Sequence, residues 1–216
     1  MKNTEVNAAF KANWTPATVG RMAFASDAIS SLSGIRYSIT DAPRHVPEKP
    51  GLYAVYGDDQ AWDELGLEPN LDSPLYVGKA EDSLARRELR GHFAAGGGRA
   101  QTGSSTVRRS FAALLRNRLG LRGVPRNANN PGHFSNYGLA EGGDAALSTW
   151  MHERLTIAVW PAPASLDVPL ATVEREVIRH WTPPINIAEN PSPAPGLSAA
   201  RAAMAAEARA WMPGPS

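Results

Sequence analysis

Two short apolar runs, Leu52 to Tyr56 and Leu75 to Val77, stand out from the polar positions around them. Both are built from aromatic, β-branched and other apolar side chains that suit a pleated surface. Pro50 and Gly51 introduce the first and Pro74 the second, which places each proline at a strand entrance, where its missing amide donor does least harm. The pattern predicts a hairpin of strands over 51–56 and 74–79. A third strand is expected over Leu155 to Trp160, with Thr156, Ile157 and Val159. Between and after these runs the period changes to that of helices. Asp82 or Ser83 is placed to cap a helix through Leu84, Leu89 and Phe93 that ends at Gly96-Gly97-Gly98. Ser104 or Ser105 is placed to cap the next, where Val107, Phe111, Leu114, Leu115 and Leu119 recur at roughly helical spacing before Gly120 stops it. Asp144 to Glu153 reads as a short helix. The helix that follows starts near Leu170, turns Val173, Val177, Ile178 and Trp181 inward, and stops before Pro183-Pro184.

The remaining segments carry less regular patterning. Residues 1–47 read as an irregular N-terminal extension, with Trp14, Phe24, Ile29 and Leu32 as docking side chains and a stiff connector through Pro43, Pro47 and Pro50. The turn-rich stretch from Leu121 to Gly143 predicts a long loop or lid inserted near 121–143. Residues 191–216 begin with proline and serine and continue as an Ala/Arg helix, Ser198 to Trp211, expected to act as packing or spacer. The main domain is therefore expected over residues 48–190.

Composition adds limits. The 216 residues are 43% hydrophobic and 20% charged, enough for one substantial core. The absence of cysteine excludes disulfides and thiolate chemistry, and leaves oxygen or imidazole to hold any metal. With no apolar run near the ~18 residues of a membrane span, a soluble, cytoplasmic protein with no membrane partner is expected.

A net charge of +1 conceals a lopsided distribution. From Lys79 to Arg126 there are eleven Lys or Arg against three acids, a footprint suited to neutralising phosphates. Gly57 to Asp72 carries six acids and no base, and is expected to be a loop kept away from nucleic acid or a cover over an empty site. Within the basic stretch, Ser104 and Ser105 at a helix start, joined by Arg108 and Arg109, form a candidate backbone-phosphate contact, with Arg90 and Arg116 extending it. His45, His133, His152 and His180 show no metal-ligand spacing, although His133, Phe134 and Tyr137 are candidate DNA contacts in the lid.

Gly51-Leu52-Tyr53, then Tyr76-Val77-Gly78-Lys79-Ala80, then Glu174 with Val177 and Ile178 behind it, then Pro183-Pro184-Ile185-Asn186, form an ordered set. Over residues 51–190 this set resembles the GIY-YIG nuclease superfamily. The resemblance implies an α+β fold: a small three-stranded antiparallel sheet flanked by helices. It implies Tyr53 or Tyr76 as the group that activates or orients water, Arg86 or Arg87 as the helix arginine that binds non-bridging oxygens, and His92 as a proton relay. Glu174 would be the single protein ligand to Mg²⁺ or Mn²⁺, and Asn186 would position the site through hydrogen bonds to backbone or phosphate. Such a site supplies what phosphodiester hydrolysis needs, namely an activated water, charge stabilisation and help for the leaving oxygen. Tyrosine ordinarily titrates near pH 10, so a base role calls for a nearby cation, for which Lys79 is the candidate beside Tyr76.

The expected activity is divalent-metal-dependent endonucleolytic cleavage of DNA, in repair or restriction. An RNA-directed nuclease, or a non-catalytic nucleic-acid-binding protein on a degenerate nuclease fold, are the competing readings. Cutting both strands would take two encounters or a homodimer.

Overall fold

The computed structural model describes residues 16–86, 102–127 and 134–212, with backbone only for 16–19. Trp14, Arg87, Arg90, His92 and His133, and the expected helix beyond residue 86, lie outside the described residues.

The central sheet is antiparallel throughout. Strand β2 (Gly51–Gly57) lies between β3 (Tyr76–Ala80) and β6 (Leu155–Pro161), and β6 also pairs with the short β1 (Tyr37–Ser38). The three long strands are those the apolar runs predict. β2 is buried on both faces up to Tyr56, which is why its sequence reads as a continuous apolar run rather than an alternation.

The N-terminal extension differs from expectation. Helix α1 (Pro16–Leu32) occupies its middle, and the strand β1 that follows adds a fourth member to the sheet. Pro16 stands at the first helical position, where a lost amide hydrogen costs nothing. Ala25, Ala28 and Leu32 then fall on one buried face. A buried stripe in which alanines outnumber the one fully buried leucine is why the helix is hard to see in the sequence. The Trp160 indole donates to Asp27 at 2.7 Å and Tyr56 Oη to Leu32 O at 2.9 Å, which fasten α1 to the sheet.

The acidic segment also differs. It folds into α2 (Asp59–Glu64), whose start is capped by the Asp58 carboxylate accepting from Ala61 N. Ala61 and Trp62 enter the core. Glu64 accepts from the Trp150 indole and pairs with Arg118 and Arg154, with only 2% of its side chain exposed. The acids here are thus partly internal anchors rather than a cover.

Helix α3 (Thr106–Leu114) is capped by Ser105, whose hydroxyl accepts from Arg108 N at 3.1 Å. After it, the expected lid contains regular structure: β4 (Gly123–Val124) pairs with β5 (Gly138–Leu139) in a second small sheet, with Leu121, Tyr137 and Leu139 buried. Residues 128–133 lie outside the described residues. Helices α4 (Gly143–Arg154), α5 (Leu170–Trp181) and α6 (Leu197–Ala210) match the periodic segments closely. Met204 and Ala208 of α6 enter the main core, where the helix packs against α3 and β4.

The sheet separates two apolar layers. On one face Tyr53, Val55 and Ala80 pack with Phe111, Tyr137, Leu147 and Met151. On the other, Leu52, Ala54, Tyr56 and Val77 pack with Ala28 and Leu32 of α1 and with Val173, Val177 and Ile178 of α5. Among the described residues, no helix is long and apolar enough to cross a membrane.

Candidate functional site

The register of β2 and β3 decides which side chains can meet. Tyr53 pairs with Gly78 and Val55 with Tyr76, so the two tyrosines are diagonal neighbours on one face. Their ring centroids lie 6.0 Å apart at an interplanar angle of 40°. Tyr53 is fully buried and Tyr76 half-buried. Gly78 makes this arrangement possible: a β-carbon there would sit 2.5 Å from Tyr53 Oη and 2.8 Å from Tyr76 Cε1. The glycine of the second motif thus clears a floor for both phenols.

Lys79 does not join them. Strand alternation sends it to the opposite face from Tyr76, and its ammonium is paired with Glu81. Among the described residues, Arg109 carries a charge that acts on Tyr76. Burial pushes the Arg109 guanidinium below its ordinary pKa, as do the charges of Arg201 and Arg126, while Tyr137 and Tyr76 act to hold its charge. Alternation along β3 was the signal in the sequence that excluded Lys79; nothing in the sequence pointed to Arg109 instead.

Asn186 sits on the outer edge of β3. Its side-chain oxygen accepts from Val77 N at 2.8 Å and its amide donates to Val77 O at 2.8 Å. Ile185 N donates to Leu75 O at 3.0 Å. The segment after α5 therefore completes the hydrogen bonding of an edge strand, as an unpaired edge requires. Asn190 in turn donates to Asn186 O and Pro183 O, fixing the turn that presents Asn186.

Glu174 is half-buried on α5, one position after Val173, which packs on the face of Leu52 and Val77. Helix α5 thus belongs to the layer opposite the two tyrosines. Helix α5 packs against β3, to whose outer edge Asn186 is bonded. Among the described residues no three carboxylates or histidines converge into a metal cage.

The arginines of the basic stretch are more deeply placed than expected. Every residue from Val107 to Ala113 in α3 is buried, so the helix offers no solvated basic face. Arg108 is fully buried and donates to the Asp144 carboxylate and to its backbone oxygen, both at 3.1 Å. It is therefore spent on an internal ion pair rather than presented to a phosphate. The same carboxylate oxygen accepts from Thr102 N at 3.0 Å and Thr102 Oγ1 at 2.6 Å, which ties the turn before α3 to the start of α4. Asp144 is a structural anchor whose role no motif announces. Arg116 pairs with Glu207 of α6. Ser104 is exposed, while Ser105 is buried as the helix cap. Arg86 is exposed, one turn beyond Ser83, whose hydroxyl accepts from Arg86 N at 3.2 Å.

A family model described as the GIY-YIG catalytic domain matches residues 68–203, which takes in Tyr76 to Lys79, Glu174 and Asn186 and begins after Tyr53. Comparison with curated proteins and with solved structures gave no match.

Proposed function

The chain belongs to the GIY-YIG nuclease family, and on that footing we propose that it is a divalent-metal-dependent endonuclease that hydrolyses phosphodiester bonds of DNA. The observation that carries this reading is the tyrosine pair held over Gly78 at the edge of the sheet, with an arginine charge close to Tyr76. Nuclease membership makes nucleic acid the substrate class and hydrolysis the reaction class.

Tyr76, which has partial access to solvent, orients and deprotonates the attacking water. Tyr53, fully buried beneath it, holds the ring of Tyr76 in place. The Arg109 guanidinium favours a phenolate at Tyr76 by its charge. Arg86 or Arg87, after β3 in the chain, binds the non-bridging oxygens as their charge rises, a task suited to a planar guanidinium. His92 relays the proton to the leaving oxygen. Asn186 acts as a positioning residue, keeping β3 straight where Tyr76 and Gly78 leave it.

Glu174 would hold the cation. Family members generally use divalent metals, and a lone carboxylate fits Mg²⁺ or Mn²⁺ that also binds substrate phosphate and water. The bound cation supplies positive charge to the phosphoryl oxygens. The protein would work in the cytoplasm, in repair or restriction, and cutting both strands would take two encounters or a pair of copies.

The test is cleavage of a panel of supercoiled, linear, branched and single-stranded DNA, with RNA alongside, by the parent protein and by Tyr76→Phe in Mg²⁺. Removing one phenol oxygen is expected to cost at least ~10²-fold in rate, the usual scale of a positioned acid or base. Equal rates in parent and variant would refute the role of Tyr76. Cleavage of RNA in preference to DNA would overturn the substrate.

A further inference from the structure

Once its partners are known, the basic stretch divides into two sets. Arg108 is paired with Asp144, Arg116 and Arg122 with Glu207, and Arg118 with Glu64. Arg109 and Arg126 of the same stretch, and Arg201 from α6, make no ion pair with a carboxylate among the described residues. Arg109 and Arg126 meet at one turn, and Arg201 lies within electrostatic reach of Arg109. Arg109 donates to Gly103 O at 2.9 Å and to Thr106 Oγ1 at 3.1 Å, and its Nε–H is buried without a hydrogen-bond partner. The stem of Arg126 lies across the same Gly103, so closely that a β-carbon there would come within 2.7 Å of Arg126 Cγ. Helix α6 brings Arg201 in by packing on α3 and β4, and both Arg201 and Arg126 repel the Arg109 charge.

Three like charges held together, one of them in the core, are unfavourable unless an anion joins them. The fold neutralises the neighbouring arginines with carboxylates and leaves this group without one. We propose that Arg109, Arg126 and Arg201 form a binding site for a backbone phosphate of duplex DNA, beside the Tyr53–Tyr76 pair. Arg126 is exposed and Arg201 half-buried, so these two meet the phosphate directly. Arg109 lies beneath them, adding charge and holding the turn at Gly103. The hairpin β4–β5 and helix α6 thereby acquire a role in substrate binding. Such a contact fixes the position of the duplex and carries no sequence preference.

This inference rests on the DNA-directed reading, and its test is made separable by measuring binding without metal. A labelled mixed-sequence duplex is titrated in EDTA over a salt series with parent protein, Arg126→Ala, Arg201→Ala and, as a charge-matched control, Arg122→Ala. Each of the first two variants is expected to bind about tenfold more weakly and to flatten the plot of log affinity against log salt by about one. Arg126→Lys is expected to recover the slope, because a point charge suffices for a phosphate. Parent-like affinity and slope in both Arg126→Ala and Arg201→Ala, or no binding by the parent, would overturn the site. Loss in those variants from a parent that never cuts DNA in Mg²⁺ would keep the site and remove the nuclease reading.

Discussion

A single missing methyl group sets the geometry on which the proposed chemistry depends. Gly78 is flanked by two aromatic rings, so Gly78→Ala forces Tyr53 or Tyr76 to move. Overpacking of this kind costs about 1–3 kcal/mol, and the displaced phenol no longer meets the water. The expected result is a folded protein with a lower urea midpoint and cleavage reduced at least tenfold; an unchanged rate would show that the tyrosine pair is not used. Asn186 makes a comparable demand. Asn186→Ala leaves the Val77 N–H and C=O on the β3 edge without their partners, a loss of about 2 kcal/mol in urea unfolding. At this scale the sequence was only partly legible. Tyr53, Tyr76, Glu174 and Asn186 could be singled out because they recur in a fixed order. Their partners could not, because the Arg109 charge is brought to bear on Tyr76 by tertiary packing and leaves no spacing to read. The assignment of Lys79 as the nearby cation followed nearness in sequence, where the pleat puts residues three apart on opposite faces.

Among the elements, those with strong periodicity were legible and those stabilised by single tertiary contacts were not. The strands at 51–57 and 155–161 and the helix from Leu170 announce themselves by runs of large apolar residues. Helix α1 buries alanines, α2 is short and acidic, and β4–β5 pairs only two residues on each side, so each is visible only once its neighbours are present. Helix α3 differs in another way: its arginines read as a backbone-phosphate contact, yet Arg108 is buried against Asp144. Removing that carboxylate strands a guanidinium in the core. Asp144→Ala is therefore expected to cost about 3 kcal/mol and to loosen the Thr102–Ser104 turn, measured as a drop in urea midpoint and faster amide exchange at Thr102. A stability equal to that of the parent would mean that the Arg108 charge does not depend on Asp144.

Over the whole molecule, two glutamates tie distant elements together and set the response to acid. Burial acts to raise the Glu64 carboxyl, but hydrogen bonds from Trp150 and Gln60 and the charges of Arg118 and Arg154 hold it below its ordinary value. Glu207 is likewise held low, against burial, by the Gly123 amide and by Arg116 and Arg122. Both carboxyls therefore bind protons more weakly folded than unfolded. Their stabilisation is fully present above the unfolded value of about 4.3 and is lost as pH falls through the lower folded values. Glu64→Gln should lower stability at neutral pH and shrink the further loss on acidification, read from urea midpoints at neutral and acid pH. An acid dependence as steep as that of the parent would contradict this. The central claim concerns the same molecule acting on substrate, and the most direct measurement is cleavage of supercoiled DNA by parent protein and by Glu174→Ala, each with Mg²⁺ and with EDTA. The parent is expected to cut only when Mg²⁺ is present, and the variant not at all. Cutting that persists in EDTA or in Glu174→Ala, or DNA bound by the parent but never cut, would contradict it.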